Sequence, residues 1–256
     1  MKTGQDPDQG APGPQYPPPQ PEQSFLAIGD LHGSYELVLE LDRYFNDEQR
    51  AWPVVFLGDY VDRGERSREV LEMLMAAGAE KGASVICLMG NHEQMLLDFL
   101  DDPVGSARRW LRNGGLQTLA SFGVPLPRGE ADDVRRNNDL RDRLAEAMGP
   151  EMIDWLRHLP FYWRSGNVSL THAGADPSLP FDEQRASTFL WGHRDFLKQA
   201  RHDGQWVVHG HTVVDAPYVR DGRIGIDTGA YATGRLSAAA ITAEGVTFFQ
   251  TGVGRR

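Results

Sequence analysis

Val54-Val-Phe-Leu-Gly-Asp59-Tyr-Val-Asp62-Arg63-Gly64 decides the fold class. Four apolar residues, mostly β-branched or aromatic, run straight into Gly58-Asp59. This is the pattern of a buried strand that stops abruptly and delivers polar side chains at its carboxyl end. Asp59, Asp62 and Arg63 then fall within five residues. Charges so close to a buried strand need a partner or a metal, because an isolated charge is costly to withdraw from water.

The same pattern stands on either side. Phe25-Leu-Ala-Ile-Gly-Asp30-Leu-His32-Gly33 is an apolar run ending in Gly-Asp, and Ser84-Val-Ile-Cys-Leu-Met-Gly90-Asn91-His92-Glu93 is a third, ending in Gly-Asn. Asp30 and Asp59 are 29 residues apart and Asp59 and Asn91 are 32 apart, the length of about one βαβ unit. Three parallel strands would therefore present their polar ends together, in the crevice where open α/β sheets bind ligands. Oxygen and imidazole donors converging there suit a pair of divalent cations.

Between these runs, Leu37, Val38, Leu41, Tyr44 and Phe45 form one apolar helical face after Ser34, and a helix over residues 67–77 is expected to end at Gly78. A further helix starts near Glu93. Residues 104–160 read as helical, broken at Gly114-Gly115, and resemble an inserted cap. Phe161-Tyr-Trp-Arg and Val168-Ser-Leu-Thr-His172 read as a hairpin, followed by strands near 206–209, 223–227, 235–242 and 246–251. Their close spacing predicts mostly antiparallel pairing. The expected architecture is an α/β (mixed α+β) β-sandwich flanked by helices, with a helical insertion, in one domain over residues 24–256.

Residues 1–23 hold seven prolines and five glutamines with almost no aliphatic side chains, so they predict a tail that cannot bury enough apolar surface to order itself. They lack the basic start and apolar centre of a secretory signal, and a cytoplasmic protein is expected. The formal net charge of −10 argues against unspecific binding of nucleic acid or anionic membrane. No apolar run approaches the ~18 residues of a spanning helix. The single Cys87 excludes an intramolecular disulfide and reads as a core residue.

Of eight histidines, His32, His92, His172 and His211 each follow an apolar run and have glycine within two positions. One such histidine is usually a satisfied core residue; four accompanied by Asp30, Asp59 and Asn91 point to metal. His158, His193, His202 and His209 default to structural or surface roles.

Gly29-Asp-Leu-His-Gly33, Gly58-Asp-Tyr-Val-Asp-Arg-Gly64, Gly90-Asn-His-Glu93, His172-Ala-Gly174 and Gly210-His-Thr212 resemble, in order, the signature blocks of the phosphoprotein phosphatase family of binuclear metallophosphoesterases. The resemblance spans residues 25–230 and implies a calcineurin-like fold. It implies that Asp30, His32 and Asp59 hold one divalent metal, and that Asp59, Asn91, His172 and His211 hold a second, with Asp59 bridging. Manganese is the cation implied, with iron or zinc as alternatives.

Two such ions a few ångström apart activate a shared water and clamp the oxygens of an in-line displacement. Arg63 can then bind phosphate with its planar fork. His92 is the candidate proton donor to the leaving group, oriented by Asp62. Arg194, in Leu190-Trp-Gly-His-Arg194, is the candidate second phosphate-binding arginine, the alternative being a solvated loop residue. Glu93 reads as a support for its neighbours.

Asp227-Thr-Gly-Ala-Tyr-Ala-Thr-Gly234 resembles the bacterial and phage branch. The enzymes that cleave diadenosine tetraphosphate symmetrically usually carry Ala where this chain has Asp62. The resemblance therefore implies a serine/threonine protein phosphatase, with phosphotyrosine as a further substrate and a phosphoprotein or phosphopeptide as partner. The alternatives are a symmetrical dinucleoside polyphosphate (diadenosine tetraphosphate) hydrolase and, more remotely, an inactive phosphate-binding module.

Overall fold

The computed structural model describes residues 16–127 and 133–252. Their backbone forms two five-stranded mixed sheets packed face to face, with helices against the outer side of the first. In chain order the elements are β1 (Phe25–Ile28), α1 (Tyr35–Asp42), α2 (Asp47–Arg50), β2 (Val54–Phe56), α3 (Ser67–Lys81), β3 (Val85–Cys87), α4 (Asn91–Asp101), α5 (Pro103–Trp110), α6 (Leu116–Ser121), α7 (Val134–Met148) and α8 (Pro150–Arg157). There follow β4 (Tyr162–Ser165), β5 (Val168–Thr171), α9 (Ala186–Trp191), β6 (Trp206–His209), β7 (Tyr218–Arg220), β8 (Arg223–Gly225), α10 (Ala230–Thr233), β9 (Ser237–Thr242) and β10 (Gly245–Gln250).

The first sheet runs β10-β9-β1-β2-β3 and the second β4-β5-β6-β8-β7. Alternation along β1 shows why they stack. Phe25 and Ala27 join Val55, Val168, Val208 and Ile241 between the sheets, while Leu26 and Ile28 face Leu41, Leu71 and Leu96 on the helical side, as the period of two in a strand requires. The expected β-sandwich flanked by helices is therefore the observed one.

Within the second sheet the expected antiparallel pairing is corrected. β5–β6 and β6–β8 are parallel, and only β4–β5 and β7–β8 are antiparallel. The β5-to-β6 crossover is mostly irregular chain with the short α9, so it lacks the helical periodicity that announces a parallel unit. The consequence is functional: β1, β2, β3, β5, β6 and β8 all send their carboxyl ends toward one edge of the sandwich.

Two boundaries also differ. α3 continues through Gly78 to Lys81 and stops where Gly82 turns left-handed at φ +57°. α4 begins at Asn91 rather than near Glu93, and within the stretch read as helical α7 runs from Val134 to Met148, after Asp133, whose side chain accepts the Arg136 amide. The helices expected as a cap share the main core: Trp110, Leu119, Leu140, Leu144 and Leu156 are buried in one cluster with Leu41 and Leu71.

At the start of the chain the expectation of an unstructured tail is corrected from Tyr16 onward; residues 1–15 of that tail lie outside the described residues. The Trp206 indole donates to Pro17 O at 2.7 Å, Asn167 Nδ2 donates to Pro18 O at 3.0 Å, and Tyr16 packs edge-on to Trp206 at 5.2 Å. Proline carbonyls lack no acceptor capacity, and these partners were invisible in composition alone.

Candidate metal centre

Each site residue sits just beyond a strand end. Asp30 and His32 follow β1, Asp59 follows β2, Asn91 and His92 open α4 after β3, His172 follows β5 and His211 follows β6. His32, Asp59, Asp62, Arg63 and His211 all have positive φ, between 43° and 70°, and among the described residues Asp221 alone shares that conformation without being glycine. Left-handed backbone is unfavourable for residues bearing a Cβ and collects where surrounding structure over-determines it, commonly at functional sites.

Two groups of potential ligand atoms converge, each within 4.8 Å: His32, Asp59 and His92, and Asp59, His172 and His211. Asp59 belongs to both. Its Oδ2 lies 3.4 Å from His32 Nε2 and its Oδ1 3.3 Å from His172 Nε2. Both imidazoles are fixed from behind, with Nδ1 of His32 2.8 Å from Val61 O and Nδ1 of His172 3.0 Å from Leu57 O. A carbonyl can only accept, so Nδ1 carries the proton and Nε2 turns its lone pair inward. Burial keeps both rings neutral, lowering His32 to about 3 and His172 to about 4.

The donor chemistry fits divalent cations. Asn91 Oδ1 lies 2.8 Å from both His172 Nε2 and His211 Nδ1, and those nitrogens are 3.2 Å apart. Three atoms that can each offer a lone pair thus converge on one point, as a divalent cation's ligands do. The carboxyls of Asp30, Asp59, Asp62, Glu93 and Asp227 are all buried here, and Arg63 is the fixed cation that faces them. Burial would raise Asp59, but the imidazoles of His172, His92 and His32 pull it down. Burial, Asp227 and Asp59 push Asp30 well above the carboxylate range. Asp30 lies outside both three-residue groups: its carboxylate accepts the His211 amide at 3.1 Å through Oδ2.

Asp62, His92 and Arg63 form a chain at the edge of this cluster. Nδ1 of His92 is 2.7 Å from Asp62 Oδ2, while Trp110 Nε1 and Thr118 Oγ1 donate to Asp62 Oδ1 at 3.0 and 2.7 Å. Asp62 has 0 % exposure, so these three donors replace its water. Burial alone would lower His92, yet the carboxylates of Asp59 and Asp62 raise it. Arg63 Nη2 lies 3.0 Å from His92 Nε2. A guanidinium can only donate, so in this arrangement Nε2 accepts and the ring is neutral.

Glu93 takes the support role expected of it, accepting backbone N–H groups of Asp59, Tyr60, Val61 and Gly90 at 2.7 to 3.1 Å. Arg194 stands apart, its side chain 86 % exposed and 3.3 Å from Asp195, though it shares a cavity wall with His211. Trp110, Thr118 and Asp227 carried no site role in the sequence. Asp227 is buried beside the centre and raised to about 6, first by burial and also by Asp59. The signal was present, since Ile224-Gly-Ile226-Asp227 repeats the apolar run ending in aspartate.

The sequence profile of the calcineurin-like phosphoesterase family matches residues 24–215. The chain belongs to that family. Among calcineurin-like phosphoesterases, it is 27 % identical to the asymmetrical bis(5'-nucleosyl)-tetraphosphatase PrpE of Oceanobacillus iheyensis, over 82 % of this chain and 86 % of the relative. It is 24 % identical to serine/threonine-protein phosphatase 2 of Salmonella typhimurium, over 82 % of this chain and 89 % of the relative. The crystal structure of a candidate diadenosine tetraphosphatase superimposes with a TM-score of 0.61 at 20 % identity, covering 91 % of this chain and 96 % of the other. This last likeness is one of fold. No helix among the described residues is long and apolar enough to cross a membrane.

Proposed function

We propose that this calcineurin-like phosphoesterase hydrolyses dinucleoside tetraphosphates at a centre of two divalent cations shared through Asp59. The observation that carries the reading is the opposed pair of Asp59 oxygens, one toward His32 and one toward His172. Mixed imidazole and oxygen donors suit manganese, iron or zinc. The substrate class follows the similarity to a tetraphosphatase over most of both chains.

Cations held there supply Lewis acidity to the phosphoryl oxygens and to the attacking water. Asp59 and the inward Nε2 atoms would hold them, with Asn91 and His211 completing the second group and Asp30 placed beside His211. Arg63 offers its fork to two phosphoryl oxygens. As it moves onto phosphate it leaves His92 Nε2, which can then take a proton from solvent, the resulting imidazolium being held by Asp62 at Nδ1, and pass that proton to the leaving oxygen. Asp62 keeps that ring oriented from Nδ1. Arg194, solvated at the mouth, is assigned to the more distant phosphates.

A second reading, serine/threonine phosphomonoester hydrolysis, is favoured by the Asp62–His92 pair. An alkoxide leaving group needs a proton far more than a phosphate anion does. Parallel measurement of kcat/KM on diadenosine tetraphosphate and on a phosphoserine peptide, with manganese, separates them. A higher value on the dinucleotide, with mononucleotide and nucleoside triphosphate as products, supports the proposal. A higher value on the peptide replaces it with the second reading.

A further inference from the structure

We propose that the indole of Trp191 is the platform on which a purine base of the substrate stacks, backed by Arg109; this rests on the dinucleotide reading above. Trp191 is the last residue of α9 and remains 39 % exposed. Leaving so large an apolar ring in solvent beside a polar centre forgoes burial that the same residue type gains elsewhere, as at Trp110. Its position supplies a reason. The ring stands edge-on to His211, 6.5 Å between centroids and 87° between planes, so a group stacked on it lies one side chain away from a candidate metal ligand.

One face of the indole is already occupied. The Arg109 guanidinium, from α5, sits 4.4 Å from the ring centroid. Such a cation fixes the ring plane and leaves the opposite face for a ligand. A cavity of about 250 Å³ adjoins the ring, walled by Trp191, Arg194, Phe196, Leu197, His211 and Thr212, and Arg109 is not among its lining residues. That volume lies below the range of drug-sized pockets and suits one ring system. Its wall is mixed: Trp191, Phe196 and Leu197 offer apolar surface to a ring, while His193, Arg194, His211 and Thr212 offer polar groups to what the ring carries.

The other exposed aromatic at the mouth, Tyr231, is less suited. The Arg63 guanidinium lies 4.8 Å from its centroid, and its edge meets His32 at 5.2 Å. Its stacked cation is the arginine assigned to phosphate, so that backing is withdrawn when substrate binds, whereas Arg109 has no such task and stays behind Trp191. Stacking without a hydrogen-bonding code tolerates any base with a π face, so adenine and guanine dinucleotides should bind with similar affinity.

The test compares a ligand with a base against one without. Affinities of a non-hydrolysable methylene analogue of ATP and of inorganic tripolyphosphate are measured by calorimetry on the manganese-loaded full chain and its Trp191→Ala and Trp191→Phe variants. Trp191→Ala should weaken the ATP analogue by about 5- to 150-fold while tripolyphosphate changes by less than about twofold, and Trp191→Phe should restore most of the loss. On diadenosine tetraphosphate the Trp191→Ala deficit should appear in KM rather than kcat. Equal losses for both ligands, or no loss for the ATP analogue, overturn the platform. The binding comparison does so whether or not the dinucleotide is cleaved; absence of its hydrolysis by the unaltered protein defeats the proposed function instead.

Discussion

His92 separates the two substrate classes because of what each leaving group demands. A departing serine alkoxide needs a proton as the bond breaks, and positioned proton transfer contributes about 10²- to 10⁴-fold. His92→Asn should cut kcat on a phosphoserine peptide by that factor and on a dinucleoside tetraphosphate by less than about tenfold, because a phosphate anion departs without one. Equal losses in the paired assay would remove the proton-donor role. Asp59→Asn replaces one oxygen of the shared carboxylate by an amide nitrogen that cannot ligate, so metal analysis after gel filtration should find fewer than two ions per chain. Two ions retained would end the bridging assignment. At this scale the candidate ligands were legible because each terminates an apolar run. The partners of Asp62 were not, since Trp110 and Thr118 lie 48 and 56 positions away and no local pattern links them.

Between α5 and α6, residues Leu111–Gly115 form a wide π turn in which Gly114 has φ +110°. This turn carries the α5 end with Trp110 onto Asp62, and Gly114 O accepts the Arg63 amide at 3.3 Å. A Cβ on Gly114 would fall 2.4 Å from Arg63 N, a backbone atom that cannot yield without moving the loop. Gly114→Ala should therefore lower kcat/KM by at least about tenfold through displacement of Arg63. Gly123→Ala is the control: its φ is +70° but its Cβ meets nothing within 4 Å, so it should cost only about 1 kcal/mol of backbone strain with kcat/KM intact. If both variants lose activity alike, the contact with Arg63 is not the cause. The paired glycines were readable as a break in helical spacing, but not as a wide turn, because the reason for it lies in the Arg63 loop. The parallel β5-β6-β8 order was hidden for a related cause, the crossover from β5 being irregular chain without the 3.6-residue period.

Taken as a whole, the sandwich surrounds a cluster of buried carboxyls, of which Asp62 and Glu93 are met by hydrogen-bond donors, and cations joining Asp59 would offset more of its charge. Binding to the folded state alone stabilises it by about 4 kcal/mol at a thousandfold excess over Kd, so chelation should lower the melting temperature by several degrees, restored by manganese. The chain start tests a different kind of cohesion. A proline- and glutamine-rich composition predicts no order, and it misleads for residues 16–22 because their anchoring is supplied by the second sheet. Tyr16 donates to Gln205 O at 2.6 Å, Gln20 N to Asn167 Oδ1 at 2.6 Å and Glu22 N to Ser165 Oγ at 3.0 Å, so the segment ties together the ends of β4, β5 and β6. An edge-on aromatic pair and one hydrogen bond are together worth about 2 kcal/mol, and in a domain of this size each kcal/mol moves the melting temperature by about 2–4 °C. Tyr16→Ala should then melt about 4–8 °C lower, and truncation at Gln23 lower still. Because none of these contacts touches the metal centre, kcat on a small phosphate ester at 25 °C should be unchanged in both. A melting temperature equal to that of the full chain would show that the segment does not hold the sheet, and a fall in kcat without a fall in melting temperature would place it at the site instead.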